Sequence, residues 1–272
     1  MRKNNFLTGI FSWFGYIMPF KKRVELIKKA GFNAISLWWE DEDEIGRSDM
    51  PKLTREMGLI IDNIHFPYDD CNLLWINEKE VENGIIRQYF SWLEECAENN
   101  INLVVMHVEN NPPFSPNEKG IKNLLKIVDK AKELKIKIAL ENTRKNEYLD
   151  HIFKNINHEN LGFCHDTSHD WLTSKGKFAA LENWKDKLLC THISDNNGKE
   201  DNHFIPLKGT INWDKYIELF PQNYNGALSL EICATKDDVK CLKPEDFLKI
   251  ARENLSIVEE KLITKLYKNK QG

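Results

Sequence analysis

Short apolar runs alternate with amphipathic helical stretches from one end of the 272-residue chain to the other, and this alternation constrains the fold more than any other feature. The runs lie near Leu7 to Trp13, Ala34 to Trp39, Leu59 to Phe66, Ile101 to Val108, Ile136 to Glu141, Leu161 to Cys164, Leu188 to Ile193 and Ala227 to Ile232. They are continuous rather than alternating, as strands buried on both faces are. Between them the period becomes helical: Ile121, Leu124, Leu125, Val128, Ala131 and Leu134 fall on one face, and Val81, Ile85, Tyr89, Leu93 and Cys96 repeat the pattern. Ser115-Pro116 and Pro244-Glu245-Asp246 carry helix-start chemistry. Gly31, Gly58 and Gly162 stand where a turn into a strand needs a permissive residue.

A strand-helix unit repeated eight times closes most economically into an α/β fold of the (β/α)8 TIM barrel type. An open doubly wound sheet would want a Gly-rich phosphate loop after the first strand, and none is present. No linker, low-complexity tract or shift in composition divides the chain, so one domain is expected over residues 1–272.

Charge and cysteine usage narrow the partners. The net charge of -4 gives no global basic field for nucleic acid or anionic lipid. Six scattered cysteines without a C-x-x-C pair suit reduced thiols in a cytoplasmic protein. Arg2 and Lys3 followed by FLTGIFSWFGYIMPF imitate a secretory signal, but no small-x-small cleavage site follows. Pro19, Lys21 and Lys22 end the run as a helix start would, so a buried first strand and loop are expected. No other stretch reaches membrane-spanning length, and a membrane partner is not expected. A homo-oligomer is left open.

In such barrels the active site lies at the C-terminal ends of the strands. Here those ends form a series: His65, His107, Glu141, Asp166 with His169 close behind, His192, and Glu231. Acids gathered at one end of a barrel repel one another and lose solvation, a cost that a divalent cation removes. Carboxylates with neutral imidazoles suit Mn, Zn, Co or Mg. A single histidine or glutamate at a strand end is more often a solvated loop residue; six consecutive strand ends reverse that judgement. His151 and His158 sit in polar helix-and-turn context, and His165 points away from Asp166 if strand alternation persists.

GFCHDTSH resembles the Gly-x-x-x-Asp-x-x-His segment on strand 6 of the xylose isomerase-like TIM barrels, the superfamily of sugar isomerases, sugar epimerases and related AP endonucleases. THISDNNGKEDNHFIPLKGTINW resembles its strand-7 segment, from His-x-x-Asp through Asp-x-His to a Pro and Gly turn, and LENT and LSLEI resemble the ends of strands 5 and 8. One departure is Pro206-Leu207-Lys208-Gly209, where the family often has Pro-Gly-x-Gly. The resemblance implies that Glu141, Asp166, His192 and Glu231 bind a divalent metal ion and that His169 reaches the substrate or a second ion. It further implies that Glu141 and Glu231 transfer the substrate's proton in sugar isomerisation or epimerisation.

The same resemblance admits AP endonuclease chemistry with several zinc ions, since His65, His107, Asp201 and His203 complete the nine ligand positions of that class. Charge separates the two. A DNA-binding face neutralises phosphates with Lys and Arg, whereas the loop after strand 2 reads Glu40-Asp41-Glu42-Asp43-Glu44. A small-molecule carbohydrate is therefore the expected partner, with no nucleic acid. A barrel that only binds a sugar would have no need of both glutamates. Of the aromatics near strand ends, Trp13, Trp38, Trp39, Phe66, Tyr68 and Trp171 could wall a sugar site, and Arg144 could hold an acidic group.

Overall fold

In the computed structural model, which describes residues 6–268, eight parallel strands close into a barrel wrapped by helices. The chain runs β1 (Thr8–Phe11), α1 (Phe20–Lys29), β2 (Ala34–Trp38), α2 (Met50–Glu56), β3 (Ile60–His65), α3 (Lys79–Glu98), β4 (Leu103–Met106) and α4 (Glu118–Glu133). It continues through β5 (Lys137–Glu141), α5 (Glu147–Asn155), β6 (Leu161–Asp166), α6 (Thr167–Thr173), α7 (Ala179–Trp184), β7 (Leu188–His192), α8 (Trp213–Leu219), β8 (Leu228–Leu230), α9 (Lys236–Cys241) and α10 (Pro244–Lys268). Every strand pairs with its sequence neighbour, β1 pairs with β8, and an Ile193–Leu230 bridge closes the ring between β7 and β8. Such an all-parallel ring needs a helix on the outside of each crossover, which is why the helical stretches carry one apolar stripe each.

Strand alternation sorts side chains into two cores. Outward residues such as Ile64, Val104, Ile138, Leu140 and Phe163 join the main core beneath the helices. Val105, Ala139, Cys164 and Cys190 form a separate inner cluster. Each of these four lies two positions before a site residue, namely His107, Glu141, Asp166 and His192, so the same alternation points all eight side chains into the barrel. Small inner residues fill the space below and leave the larger polar ones at the top.

Several local expectations change. Leu125 is exposed while Ile127 is buried; Leu125 lies roughly 110° round the helix from the centre of the stripe at 100° per residue. Gly31 and Gly58 do take left-handed conformations (φ 92° and 74°) at turns into strands. Gly162 instead lies within β6, where a Cβ would stand 2.5 Å from Leu189 and 2.6 Å from the Lys187 carbonyl. The N-cap of α4 is Asn117, just beyond Ser115-Pro116, and its side chain accepts from Lys119 and Gly120. β1 is buried as expected, but the loop after it exposes Trp13 and Ile17. Arg2 and Lys3 lie outside the described residues. No helix among the described residues is long and apolar enough to cross a membrane.

Candidate metal centre and active site

The four residues expected to bind metal converge. Glu141 ends β5, Asp166 ends β6, His192 ends β7, and Glu231 follows β8. One ligand atom from each lies within 4.8 Å of all the others. His192 Nδ1 stands 3.0 Å from Glu141 Oε2 and 3.1 Å from Glu231 Oε2, yet it forms a hydrogen bond with neither. Among the described residues, Glu141 Oε1, Asp166 Oδ2, His192 Nδ1 and Glu231 Oε2 are all buried without a hydrogen-bond partner. An unpaired buried polar atom is costly, and four neighbouring residues that each carry at least one fit a cation.

Electrostatics agree with that reading. Burial and repulsion from Glu231, Glu141 and Asp201 push Asp166 up to about 7. Burial would raise Glu141 as well, but His192 and His107 hold it well below the usual carboxylate range. Glu231 is drawn down to about 2 against its burial, chiefly by His192. Burial would lower His192, but Glu141 and Glu231 raise it well above the ordinary histidine value. Protons on imidazoles thus occupy the charge-balancing role that a divalent ion would take over.

The supporting contacts are local products of the strand ends. Asp166 is the N-cap of α6: its Oδ1 accepts from the His169 amide at 2.6 Å, which leaves Oδ2 free. Asn142, next to Glu141, clamps the Asp166 backbone, accepting from its amide at 2.8 Å and donating to its carbonyl at 2.9 Å. The Asn142 carbonyl also accepts from His169 Nδ1 at 2.9 Å, which turns Nε2 toward Asp201 Oδ2 at 2.8 Å.

A second group adjoins the first. His169, Asp201 and His203 offer ligand atoms within 4.8 Å of one another. His203 Nδ1 donates to the Glu231 carbonyl at 2.9 Å, with Nε2 3.2 Å from Asp201 Oδ2. Asp201 Oδ1 accepts from Ser168 at 2.6 Å. Burial would lower His203, but Asp201 carries it up to about 10, and Asp201 in turn lies well below the carboxylate range against its own burial because of His169 and His203. On the opposite side, His65 Nε2 and His107 Nε2 lie 3.1 and 3.3 Å from Glu141 Oε2. Burial, together with His65 and His169, lowers His107 in spite of Glu141. Six of the nine residues named from the sequence, His107, Glu141, His169, Asp201, His203 and Glu231, line one recess, and His65, Asp166 and His192 each lie within 3.6 Å of one of them. His165 lies on the outer face, its Nε2 3.0 Å from Asp170 Oδ2 and its ring stacked on Tyr216.

The loop that carries Asp201 and His203 is organised by buried Asp195. Its carboxylate accepts from the amides of Asn196, Leu207 and Ile211 and from Trp213 Nε1 at 2.9–3.1 Å. Leu207 takes φ 70°, so the departure from Pro-Gly-x-Gly keeps a left-handed backbone with a leucine in it. A Cβ on Gly209 would stand 2.2 Å from the Asn196 carbonyl oxygen and 2.3 Å from Asp195 Oδ1.

Sequence reasoning did not reach Glu109 or Asn142. Glu109 is buried beside the recess and accepts from Thr143 Oγ1 and the amides of Asn111, Arg144 and Lys145, so its carboxylate fills a nest of N–H groups at the site. Its only signal is its position two residues after His107. Tyr68 stacks on His107 at 4.4 Å, and Trp38 lies 5.2 Å from His65, whereas Trp39 and Phe66 belong to the outer core. Arg144 is exposed at the edge of the recess. A larger groove between α8 and α10, about 1170 Å³, has Lys261 paired with Asp214 and Lys265 bound to three carbonyls, and none of the nine site residues lines it.

Residues 24–256 match the family described as the xylose isomerase-like TIM barrel. The chain belongs to that family. It is 29% identical over 219 residues to "Uncharacterized protein MJ1311" of Methanocaldococcus jannaschii, covering 74% of this chain and 72% of that one. It is also 35% identical over 81 residues to "Uncharacterized protein y4fM" of Sinorhizobium fredii; that match covers 29% of this chain and spans only 26% of the relative's length. Among solved structures, D-psicose 3-epimerase from Clostridium cellulolyticum H10, determined with D-tagatose, has the same fold at a TM-score of 0.78 and 14% identity over 94% of this chain and 99% of that one. A D-tagatose 3-epimerase-like protein is 25% identical with a TM-score of 0.72 over the same shares.

Proposed function

We propose that this xylose isomerase-like barrel is a divalent-metal-dependent sugar isomerase or epimerase, acting on a free or phosphorylated ketose or aldose by proton transfer. The observation that carries this reading is the set of unpaired buried atoms on Glu141, Asp166, His192 and Glu231. The 25% identity to a D-tagatose 3-epimerase-like protein supports the substrate class. Mn, Zn, Co or Mg fits the mixed carboxylate and imidazole donors. Held by Glu141, Asp166, His192 and Glu231, such an ion would supply Lewis acidity toward the sugar.

The remaining chemistry belongs to the chain. Glu141 and Glu231 approach His192 Nδ1 from different strands, at the ends of β5 and β8, and would flank a carbon held between them. One carboxylate removes the proton beside the carbonyl, and the other, after taking a proton from solvent, delivers it to the enediolate. His169 is held at Nδ1 by Asn142 and at Nε2 by Asp201, and reaches a substrate oxygen only by exchanging its Asp201 bond for one to the substrate. The carboxylates of Asp166 and Asp201 stay with their helix cap and their histidines, and position rather than react.

A second reading, an AP endonuclease-like phosphodiesterase with several zinc ions, draws on the His169–Asp201–His203 group and on His65 and His107 around Glu141. The exposed acids Asp43 and Glu44 near Glu231 count against a phosphate backbone there. Metal analysis of purified protein with a ketose screen in deuterium oxide tests the main reading. Stoichiometric metal with deuterium entering the carbon beside the carbonyl is expected. Metal-free protein would leave a barrel that only binds a sugar.

A further inference from the structure

Beside the metal centre the barrel mouth opens into a cleft of about 820 Å³ that the chemistry above does not use. Glu231 and Tyr68 line both this cleft and the recess over the metal residues, so the two are continuous. The cleft's own wall is apolar, with Phe11, Trp13, Ile17, Met18, Trp38 and Ile45. Ile17 is 94% exposed and Trp13 40% exposed, although both belong to a chain segment packed against the core on either side. Trp38 ties this wall to the site, standing 6.2 Å from Phe11 and 5.2 Å from His65 between ring centroids.

Charge defines what the cleft takes. Its one basic residue, Arg23, is 2% exposed. Nε donates to the Ser12 carbonyl at 2.9 Å, Nη1 to the Met18 carbonyl at 2.7 Å, and Nη2 pairs with Glu42. Each nitrogen of the guanidinium is therefore engaged by the protein, and pairing with Glu42 balances the charge of this buried side chain, so the cleft presents no exposed cation to a phosphate or carboxylate. Asp43 and Glu44 add exposed negative charge at the rim. An anionic substituent would meet repulsion there with no free cation, whereas a neutral ring gains aromatic and aliphatic contact area.

We propose that the substrate carries an uncharged apolar substituent, an aryl or branched alkyl group attached to its sugar, and that this group seats in the Trp13–Ile17–Trp38 cleft while the sugar lies over Glu141 and Glu231. This rests on the sugar reading and extends it from a bare or phosphorylated monosaccharide to one that carries a neutral ether on a hydroxyl remote from the carbonyl, which leaves the carbonyl free for proton transfer. Volume supports the division: the recess over the metal residues holds only about 160 Å³, whereas the apolar cleft is within the range of sites for larger ligands.

Isothermal titration of the full Mn²⁺-loaded chain with free ketohexoses, their 6-O-benzyl ethers and their 6-phosphates tests the proposal. The benzyl ethers are expected to bind on the order of 10- to 100-fold more tightly than the free sugars, and the phosphates more weakly. Ile17→Asp, a change at an exposed position, should bring the ratio of ether to free-sugar affinity toward one. Equal affinity of free sugars and benzyl ethers in the unmutated protein overturns the proposal and leaves the sugar reading standing. If no sugar or ether binds at all, the sugar reading fails and the proposal with it. A dimer in sedimentation velocity that Ile17→Asp converts to monomer also overturns it, because a second copy then fills the cleft.

Discussion

Asp166 divides its two carboxylate oxygens between structure and chemistry: Oδ1 caps helix α6 through the His169 amide at 2.6 Å, and Oδ2 faces Glu141, His192 and Glu231 with no partner. The cap fixes the carboxylate plane and brings His169 to the edge of the same recess. One residue thereby couples the start of a helix to the candidate metal centre.

That division separates two variants. Asn caps a helix about as well as Asp, so Asp166→Asn should unfold within about 0.5 kcal/mol of the unmutated protein in chelator. Asp166→Ala should lose roughly 1 kcal/mol more through the missing cap. Both should lose metal affinity beyond the ~10- to 100-fold typical of residues that only support a ligand. Thermal unfolding in chelator and equilibrium metal titration measure the two effects.

Metal binding should release protons near neutral pH. His192 is raised well above its ordinary value by Glu141 and Glu231, and Asp166 is pushed up to about 7, so both carry protons there that a metal must displace. Affinity should therefore fall as pH falls from 8 to 6. Titration in buffers of different ionisation enthalpy counts the released protons; a count of zero at pH 7 would be incompatible with these ligands. At 100 times the dissociation constant the ion should stabilise the fold by roughly 2.7 kcal/mol.

In the metal-free protein the His203–Asp201 pair gives a further pH dependence. His203 is raised to about 10, so the stability it contributes is complete below the unfolded histidine value near 6.5 and is lost as pH rises toward 10. His203→Gln should flatten the fall in stability across that window, as read by denaturant unfolding in chelator at pH 6 and pH 10.

Glu231→Gln keeps the shape and an oxygen donor but removes the proton acceptor. Turnover should fall on the order of 10²- to 10⁴-fold with KM little changed. Steady-state kinetics on whichever ketose shows turnover makes the comparison. Full activity in this variant would assign the proton transfer elsewhere, and product formed without solvent deuterium would indicate a hydride shift.

Gly209→Ala should disturb the loop that carries Asp201 and His203, because a Cβ there collides with the Asn196 carbonyl and with Asp195. Overpacking of this kind costs about 1–3 kcal/mol. The variant should still take up metal at Glu141, Asp166, His192 and Glu231 while losing activity, as metal analysis and assay together would reveal.

No useful cleavage of abasic duplex DNA is expected. The acidic rim at Asp43 and Glu44 and the net charge of -4 oppose the phosphate backbone. A nicking assay at low salt is the check, and cleavage at the rate of a repair enzyme would promote the phosphodiesterase reading.

Much of the site was legible from Glu141, Asp166, His192 and Glu231 because strand alternation is strict. Side chains two apart share a face, so the small inner residues Ala139, Cys164 and Cys190 and the polar residues after them form one inward column per strand. The same rule turns His165 outward onto Asp170. Asn142 and Glu109 were not legible: an asparagine after a strand and an acid in a loop have many uses, and only their partners reveal these two.

The sequence by itself determined the eightfold strand-helix order, the inward face of each strand and the end at which the ionisable residues gather, because these follow from periods of two and 3.6 and from apolar burial. Only the tertiary structure decided that His65, His107 and His192 all meet Glu141, that Asp195 gathers the loop over which Leu207 turns left-handed, and that Trp13 and Ile17 open a cleft onto Glu231. Those distances join residues far apart in the chain. They are set by the closure and register of the barrel, including a bulge between Ile35 and Ser36, and no local pattern encodes them.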